Sequence, residues 1–402
     1  MAYSAYCDTA SATKWWITGT GSSVNRLSEV MDDNASGVEE ADNPGNYQPW
    51  STFMTEVVED KVYLIHLDLD IGDGSTATTL TSEREHVVFD SGYGPRVVSK
   101  GVLTLGALTG DWGTKGSFWE ISGVSTTNER ITEYGATLNI YASTLYDSHL
   151  GYCDIYGTTD FRNSILMHSY DVDSSYRRRF SWGGSQVKSL RNVFICNSYG
   201  ANFNIVPGTF ENVHIHSGGY GVYCTKHSTP FTTKEAKFTN NSIADVATYS
   251  AAGNVVTFNL VDPKSAVGTV ALSGDGAAVS SINEQYTCNI TVVDKDGTGI
   301  VGATVACTGS DSGTASEEYD TVGFTTADTG ASGVLAEQTV TVKKWVGTSE
   351  TLTNYNYFKF TITEPGYETL VMEKVTIDAP IVWHLELQPS KQPPAPWQDG
   401  LM

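Results

Sequence analysis

Four groupings of side chains in this 402-residue chain have the types and spacings that chemistry requires. His214 and His216 stand at i and i+2, so on a strand they share one outward face, where two imidazoles begin a metal site but do not complete it. Asp68, Asp70 and Asp73 precede Gly74 in a weak echo of a calcium loop. The bidentate Glu that would close such a loop is missing, and a capping turn accounts for the same residues. Asp154, Asp160, Asp171 and Asp173 come nearest to the carboxylate pair that glycoside hydrolysis needs, about 5 to 9.5 Å apart across the scissile bond. Arg177-Arg178-Arg179, flanked by Tyr176, Phe180 and Trp182, forms the one basic cluster, either a contact for an acidic partner or glycan or a solvated loop. Asp294-Lys295-Asp296-Gly297 has the composition of a hairpin turn. No Ser-His-Asp, P-loop or dinucleotide signature is present, so no catalytic residue and no cofactor is assigned.

The elements that would position these groups are announced by a recurring phrase. It reads Phe161-Arg-Asn163-Ser-Ile-Leu166, Leu190-Arg-Asn192-Val-Phe-Ile195, Phe210-Glu-Asn212-Val-His-Ile215 and Phe238-Thr-Asn240-Asn-Ser-Ile243, its asparagines 29, 20 and 28 residues apart. Apolar residues fall two before, one after and three after each Asn, so the alternation of a strand breaks once, at Asn. An L-residue that turns a strand sharply adopts left-handed geometry, which Asn tolerates better than any residue except Gly. Repeated at this spacing, the phrase predicts stacked strands with corners at Asn163, Asn192, Asn212 and Asn240, and an amide ladder between them.

Composition agrees. Charged residues make up 17% of the chain, Gly and Tyr are frequent, and no stretch holds a 3.6-residue apolar period, which predicts an all-β fold. The formal net charge of −22 argues against binding nucleic acid through phosphates. No apolar run is long enough to cross a bilayer as a helix, so membrane insertion is not expected. The beginning, Met1-Ala-Tyr-Ser-Ala-Tyr-Cys7, lacks a basic segment followed by an apolar one, and the expectation is synthesis in a host cytoplasm without a signal peptide. Six cysteines, at 7, 153, 196, 224, 288 and 307, show no zinc spacing and read as buried thiols; Cys288 and Cys307 lie on neighbouring predicted strands where oxidation would pair them.

Along the chain, residues 1–60 read as an irregular arm or attachment segment, 61–270 as a capped stack of strands, 284–388 as a small β-sandwich and 389–402 as a Pro-rich tail. The stack shows strand pieces at Val87-Val88-Phe89, Gly101 to Leu105, Phe118 to Ile121 and Leu138 to Ile140.

Roughly residues 80 to 260 resemble the right-handed parallel β-helix family, which includes pectate lyases, polygalacturonases and viral tailspikes and fibres. From Glu284 to Gln388 the Val-Asp-x-Asp-Gly turn at Asp294, the Gly302-Ala-Thr-Val305 strand, the Thr-Thr-Ala-Asp328 turn and Pro365-Gly-Tyr-Glu-Thr369 are similar to a carboxypeptidase regulatory-like, or transthyretin-like, domain. The stretches from Gly309 to Tyr319 and from Val340 to Tyr355 depart from that pattern. The first resemblance implies a right-handed solenoid, the second an Ig/transthyretin-like sandwich that serves as spacer or binding surface rather than catalyst.

Together these readings imply a non-enzymatic structural component of a tailed virus (bacteriophage) particle, as a capsid decoration, tail fibre or other tail-associated protein. Its stalk would display the sandwich for host attachment, with Arg177, Arg178, Arg179, His214 and His216 as the contact surface. The expected partners are other virion proteins, through the N-terminal arm and C-terminal tail, and a host glycan, with a homotrimer expected by analogy. Two alternatives stay open: a glycan-degrading tailspike-like enzyme and a cellular surface adhesin or appendage subunit.

Overall fold

The computed structural model describes residues 3–9, 13–19, 26–59, 61–90, 93–108, 115–121, 129–147, 152–168, 179–183, 188–197, 200–203, 208–225, 230–250, 255–274, 280–310, 319, 321–355 and 357–391. The fold is all-β. Strand makes up 61% and helix 4%, so backbone donors and acceptors are met almost wholly between strands. The chain divides into two compact units, Met1–Phe258 with Lys264–Ser280, and Asn259–Pro263 with Ser281–Met402.

In the first unit three columns of strands recur in fixed order along the sequence. One column begins Lys14–Thr18, Asp68–Ile71, Pro95–Val97, Glu129–Thr132 and Tyr152–Ile155, every neighbour parallel. It continues through Arg179–Trp182, Gly200–Phe203, Tyr220–Thr225, Ala244–Ser250 and Val270–Gly274, again all parallel. A second column holds Thr78–Ser82, Gly101–Leu105 and Thr137–Tyr141; a third holds Val62–Ile65, His86–Phe89, Phe118–Ile121 and Thr144–Asp147. Both run into the strand Thr158–His168, and from there the two columns are joined in single strands, Thr158–His168, Lys188–Asn197 and Thr209–Ser217.

Alternation explains the burial. Every second side chain of these strands points to one face, and parallel in-register pairing sets like upon like, as in Leu103 against Leu138, Phe161 against Leu190 and Leu190 against Phe210. The buried face carries an aromatic spine: Trp182 and Phe203 stack at 4.7 Å with planes 8° apart, and Phe231 and Phe258 stack at 4.7 Å and 14°. Where the second column turns into the third, serines line up instead. Ser117 Oγ donates to the Ser82 carbonyl (2.7 Å), Ser117 N–H donates to Ser143 Oγ (2.9 Å), and Ser164 Oγ donates to the Ile140 carbonyl (2.6 Å). These hydroxyls satisfy backbone groups that the turn takes out of the ladder. Gly106, at φ 75°, is required at the same turn, because a Cβ there would lie 2.0 Å from the Tyr141 carbonyl oxygen.

The described part of residues 1–60 is not an irregular arm. Ser4–Cys7 pairs antiparallel with Lys14–Thr18 and parallel with Val38–Glu40, and the helix Leu27–Asp33 buries Leu27 and Val30. Trp15 is fully buried against Trp50 and Phe53. The hairpin of Met54–Val58 with Val62–Ile65 follows. Few apolar residues in this stretch sit at regular spacing, but their partners come from distant strands: the Leu27 N–H, for example, donates to Glu85 Oε1 (2.9 Å).

In the second unit the long strand Ser281–Val293 pairs antiparallel with Gln338–Val346 and parallel with Ile381–Glu386. A four-stranded sheet is ordered Thr321–Asp328, Thr304–Ser310, Tyr357–Thr363, Leu370–Val375, each neighbouring pair antiparallel. Cys288, Ile290, Val292, Val305, Cys307, Phe358, Phe360 and Ile362 from both groups share one core. The stretch from Val340 to Tyr355 is a hairpin arm, Gln338–Val346 with Thr351–Asn354. Of the stretch from Gly309 to Tyr319, residues 311–318 lie outside the described residues. Cys288 and Cys307 are buried free thiols, not a disulfide.

Candidate functional site

The phrase asparagines all take left-handed backbone, with φ 51° at Asn163, 53° at Asn192, 50° at Asn212 and 60° at Asn240. Three of them form one column. Arg162 is in register with Arg191 and Arg191 with Glu211, so the asparagines that follow are stacked. Asn192 Nδ2 donates to Asn163 Oδ1 (2.9 Å), and Asn212 Nδ2 donates to Asn192 Oδ1 (2.7 Å). Lys264 Nζ extends the ladder, donating to Asn212 Oδ1 (2.7 Å) while it pairs with Glu235 Oε2 (2.8 Å).

Asn240 is not part of that column. Lys234 is in register with Glu211, which puts Glu235 (φ 56°) beside Asn212 as the next left-handed residue. Thr239 is in register with His216, so Asn240 falls beside Ser217 at a different turn. Its phrase only mimics the frame, for Ile243, which should be inward, is 44% exposed. At the other end Tyr141 pairs with Arg162, so Ala142 (φ 44°) occupies the position of Asn163.

His214 and His216 face the same side and share one partner. His214 Nε2 lies 2.8 Å and His216 Nδ1 3.0 Å from Thr239 Oγ1. A hydroxyl has one proton, so it donates to one ring and accepts from the other. Phe194 meets His214 edge to face at 5.0 Å. Burial, with Lys237 and His216 nearby, holds the His214 imidazole below its usual pKa, which favours the neutral ring. Arg177 and Arg178 lie outside the described residues; Arg179 heads the strand Arg179–Trp182.

The aspartates named as calcium ligands have separate duties. Asp68 Oδ1 accepts from Gly94 N–H (3.0 Å). Asp73 caps a turn: its Oδ1 accepts from the N–H of Ser75 (2.8 Å) and Thr76 (2.7 Å), which against the upward push of burial hold the carboxyl at about 2. Asp70, with an 8% exposed side chain, is clasped by Arg96, whose Nε is 2.9 Å away, and by Lys14 at 3.8 Å. Among the described residues no group of three or more His, Cys, Asp or Glu side chains could hold a metal ion. Of the carboxylates considered for hydrolysis, Asp154 and Asp160 stand in different strand columns, and Asp160 is engaged by Arg162 (Nη2, 2.8 Å) and Tyr141 (3.1 Å). Asp171 and Asp173 lie outside the described residues.

Two arrangements escape sequence reasoning. Lys188 is fully buried, and its ammonium reaches the Ile155 carbonyl (3.3 Å) and the Gly157 carbonyl; burial lowers its pKa to about 7. The other is a groove of about 500 Å³ on the first unit, lined by Lys14, Trp16, Asp42, Asp70, Asp73 and Arg96. It joins residues of four distant segments, and only their strand register reveals it.

No protein-family model matches the chain, and no curated protein matches it.

Proposed function

We propose that the first unit is a right-handed parallel β-helix serving as a rigid stalk, that the second is a carboxypeptidase regulatory-like β-sandwich, and that the chain is a non-enzymatic structural component of a virus particle. The observation that carries this reading is the column Asn163, Asn192, Asn212, in register and bonded side chain to side chain. Three strand columns that recur in one order, each paired with its own counterpart, are the pattern of a coil that stacks upon itself, and parallel crossovers are right-handed in nearly all proteins. A stack of this kind is stiff, because each corner is held by the ones before and after it. Outward groups that sequence reasoning offered to chemistry are engaged within the protein, as His214 and His216 are by Thr239 and Asp160 is by Arg162.

On this reading the chain joins other virion proteins through its C-terminal tail and through the outermost strand Tyr47–Gln48, where the sheet ends and Tyr47 is exposed. Quantitative mass spectrometry of purified particles tests it. A fixed copy number per particle is expected, and particles that lack the chain would contradict the virion role. Release of oligosaccharide from a host polysaccharide by the purified chain would instead favour the glycan-degrading alternative.

A further inference from the structure

We propose that the groove beside Trp16 binds a neutral oligosaccharide. The site is built on strand register. Glu39 pairs with Tyr6, Tyr6 with Trp16, Trp16 with Asp70 and Asp70 with Arg96, so five side chains stand in one row across five adjacent strands. Three of the five, Trp16, Asp70 and Arg96, line the groove, and at about 4.8 Å between strands they span roughly 10 Å, the scale of a short stretch of a sugar chain. Tyr6 and Trp16 lie in the middle of the row with ring centroids 6.0 Å apart and planes at 29°. Both are partly exposed, and Trp16 lines the groove.

The chemistry around the indole selects the ligand. A sugar ring presents an apolar C–H face that packs on an aromatic surface and hydroxyls that both donate and accept. Asp42 supplies an exposed carboxylate acceptor, while Lys14 and Arg96, with side chains 45% and 41% exposed, supply donors. The hydrogen bonds that Arg96 donates to Asp70 raise its pKa further, keeping the guanidinium charged. Charge disfavours other ligands. The carboxylates Asp8, Asp42, Asp70 and Asp73 outnumber the cations Lys14 and Arg96, and the whole chain carries −22, so a polyanion is repelled. A cationic peptide would meet Lys14 and Arg96 in the lining of the groove, where Asp70, the most enclosed carboxylate, is already neutralised by both. Asp73 is likewise committed to its turn. The inference does not depend on the virion role, since the groove belongs to the first unit whatever assembly holds it.

The test is titration of the full chain, by tryptophan fluorescence and calorimetry, with maltohexaose, cellohexaose and chitohexaose as neutral probes, and polygalacturonate and oligolysine as charged ones. Binding of at least one neutral probe at millimolar concentration or below is expected, with little dependence on salt. Trp16→Ala should weaken it by about tenfold or more and Lys14→Gln by a few fold, circular dichroism unchanged. Should Trp16→Ala fail to fold, the wild-type titration together with Lys14→Gln decides. Binding of none of the neutral probes, binding only of polygalacturonate or oligolysine, or unchanged affinity in the folded variants would overturn the proposal.

Discussion

The two units turn their strands by different means. In the first, the corner is repeated: Asn163, Asn192 and Asn212 each take a positive φ, and each amide is bonded to the next. In the second, the corner at Asp294 stands alone. Its Oδ1 accepts from the N–H of Asp296 (2.9 Å) and Thr298 (2.9 Å), and Gly297 takes φ 79°. Both interiors hold polar groups, satisfied in different ways. In the first unit Lys188 and the serine column reach carbonyls of neighbouring strands, as Lys188 Nζ does the Ile155 carbonyl (3.3 Å) and Ser117 Oγ the Ser82 carbonyl (2.7 Å). In the second, buried carboxylates take side-chain partners: Asp262 Oδ2 accepts from Thr287 Oγ1 (2.8 Å), and Glu284 pairs with Lys343 (3.0 Å). Cooperativity follows from stacking, and a change at one corner is felt at the next.

The largest expected effect tests the stacked core. Trp182→Ala removes a fully buried ring stacked on Phe203 and should cost about 3–5 kcal/mol in denaturant unfolding. A loss below about 1 kcal/mol would contradict a closely packed spine. Next in size is the corner itself. Asn192→Ala places alanine at φ 53° and cuts the ladder on both sides, for an expected loss of about 1–2 kcal/mol. Asn192→Gly should restore the backbone share and not the side-chain share. Asp294→Ala in the second unit removes only local turn bonds and should cost about 0.5–1 kcal/mol. Equal losses at the two sites would erase the contrast between stacked and isolated corners.

Lys188 gives the first unit a pH dependence of its own. Burial lowers its pKa from 10.5 to about 7, so between those values the unfolded chain holds a proton that the folded chain does not. Stability therefore rises with pH across that window and gains nothing from this group below it. Lys188→Met should flatten the rise, measured as denaturation midpoints from pH 6 to pH 10; an unaltered slope would mean that the carbonyls of Ile155 and Gly157 keep the ammonium charged. The smallest effect belongs to the second unit. Burial pushes the Cys288 thiol up to about 12 and raises Cys307 as well, so neither should react with iodoacetamide at neutral pH until the chain unfolds. Labelling of the folded protein, read by mass spectrometry, would show that this core opens.

What was legible in the sequence was local. Alternating apolar residues mark the strands, and an Asn interrupting the alternation marks a left-handed position, because both depend on a residue and its near neighbours. The fourth phrase misled for the same reason. Asn240 is left-handed as its residue type allows, yet membership of the column is decided by the pairing of Lys234 with Glu211, a long-range fact, and the corner fell to Glu235. Residues 1–60 look irregular because Trp15, Leu27, Val30 and Phe53 do not share one period; their burial comes from partners far along the chain. The row from Glu39 through Tyr6, Trp16 and Asp70 to Arg96 is assembled from separated segments by register, which no spacing within a window can reveal. Asp68, Asp70 and Asp73 were visible as a group, but not Arg96 and Lys14, which take up Asp70.

The central claim is that Asn192 and Asn212 form a bonded column that excludes Asn240, and a pair of double-mutant cycles tests it most directly. Alanine substitutions at 192 and 212, singly and together, should give a coupling free energy of about 0.5–1 kcal/mol, while the cycle on 212 and 240 should give none beyond about 0.3 kcal/mol. Equal coupling in both cycles, or none in the first, would contradict the column.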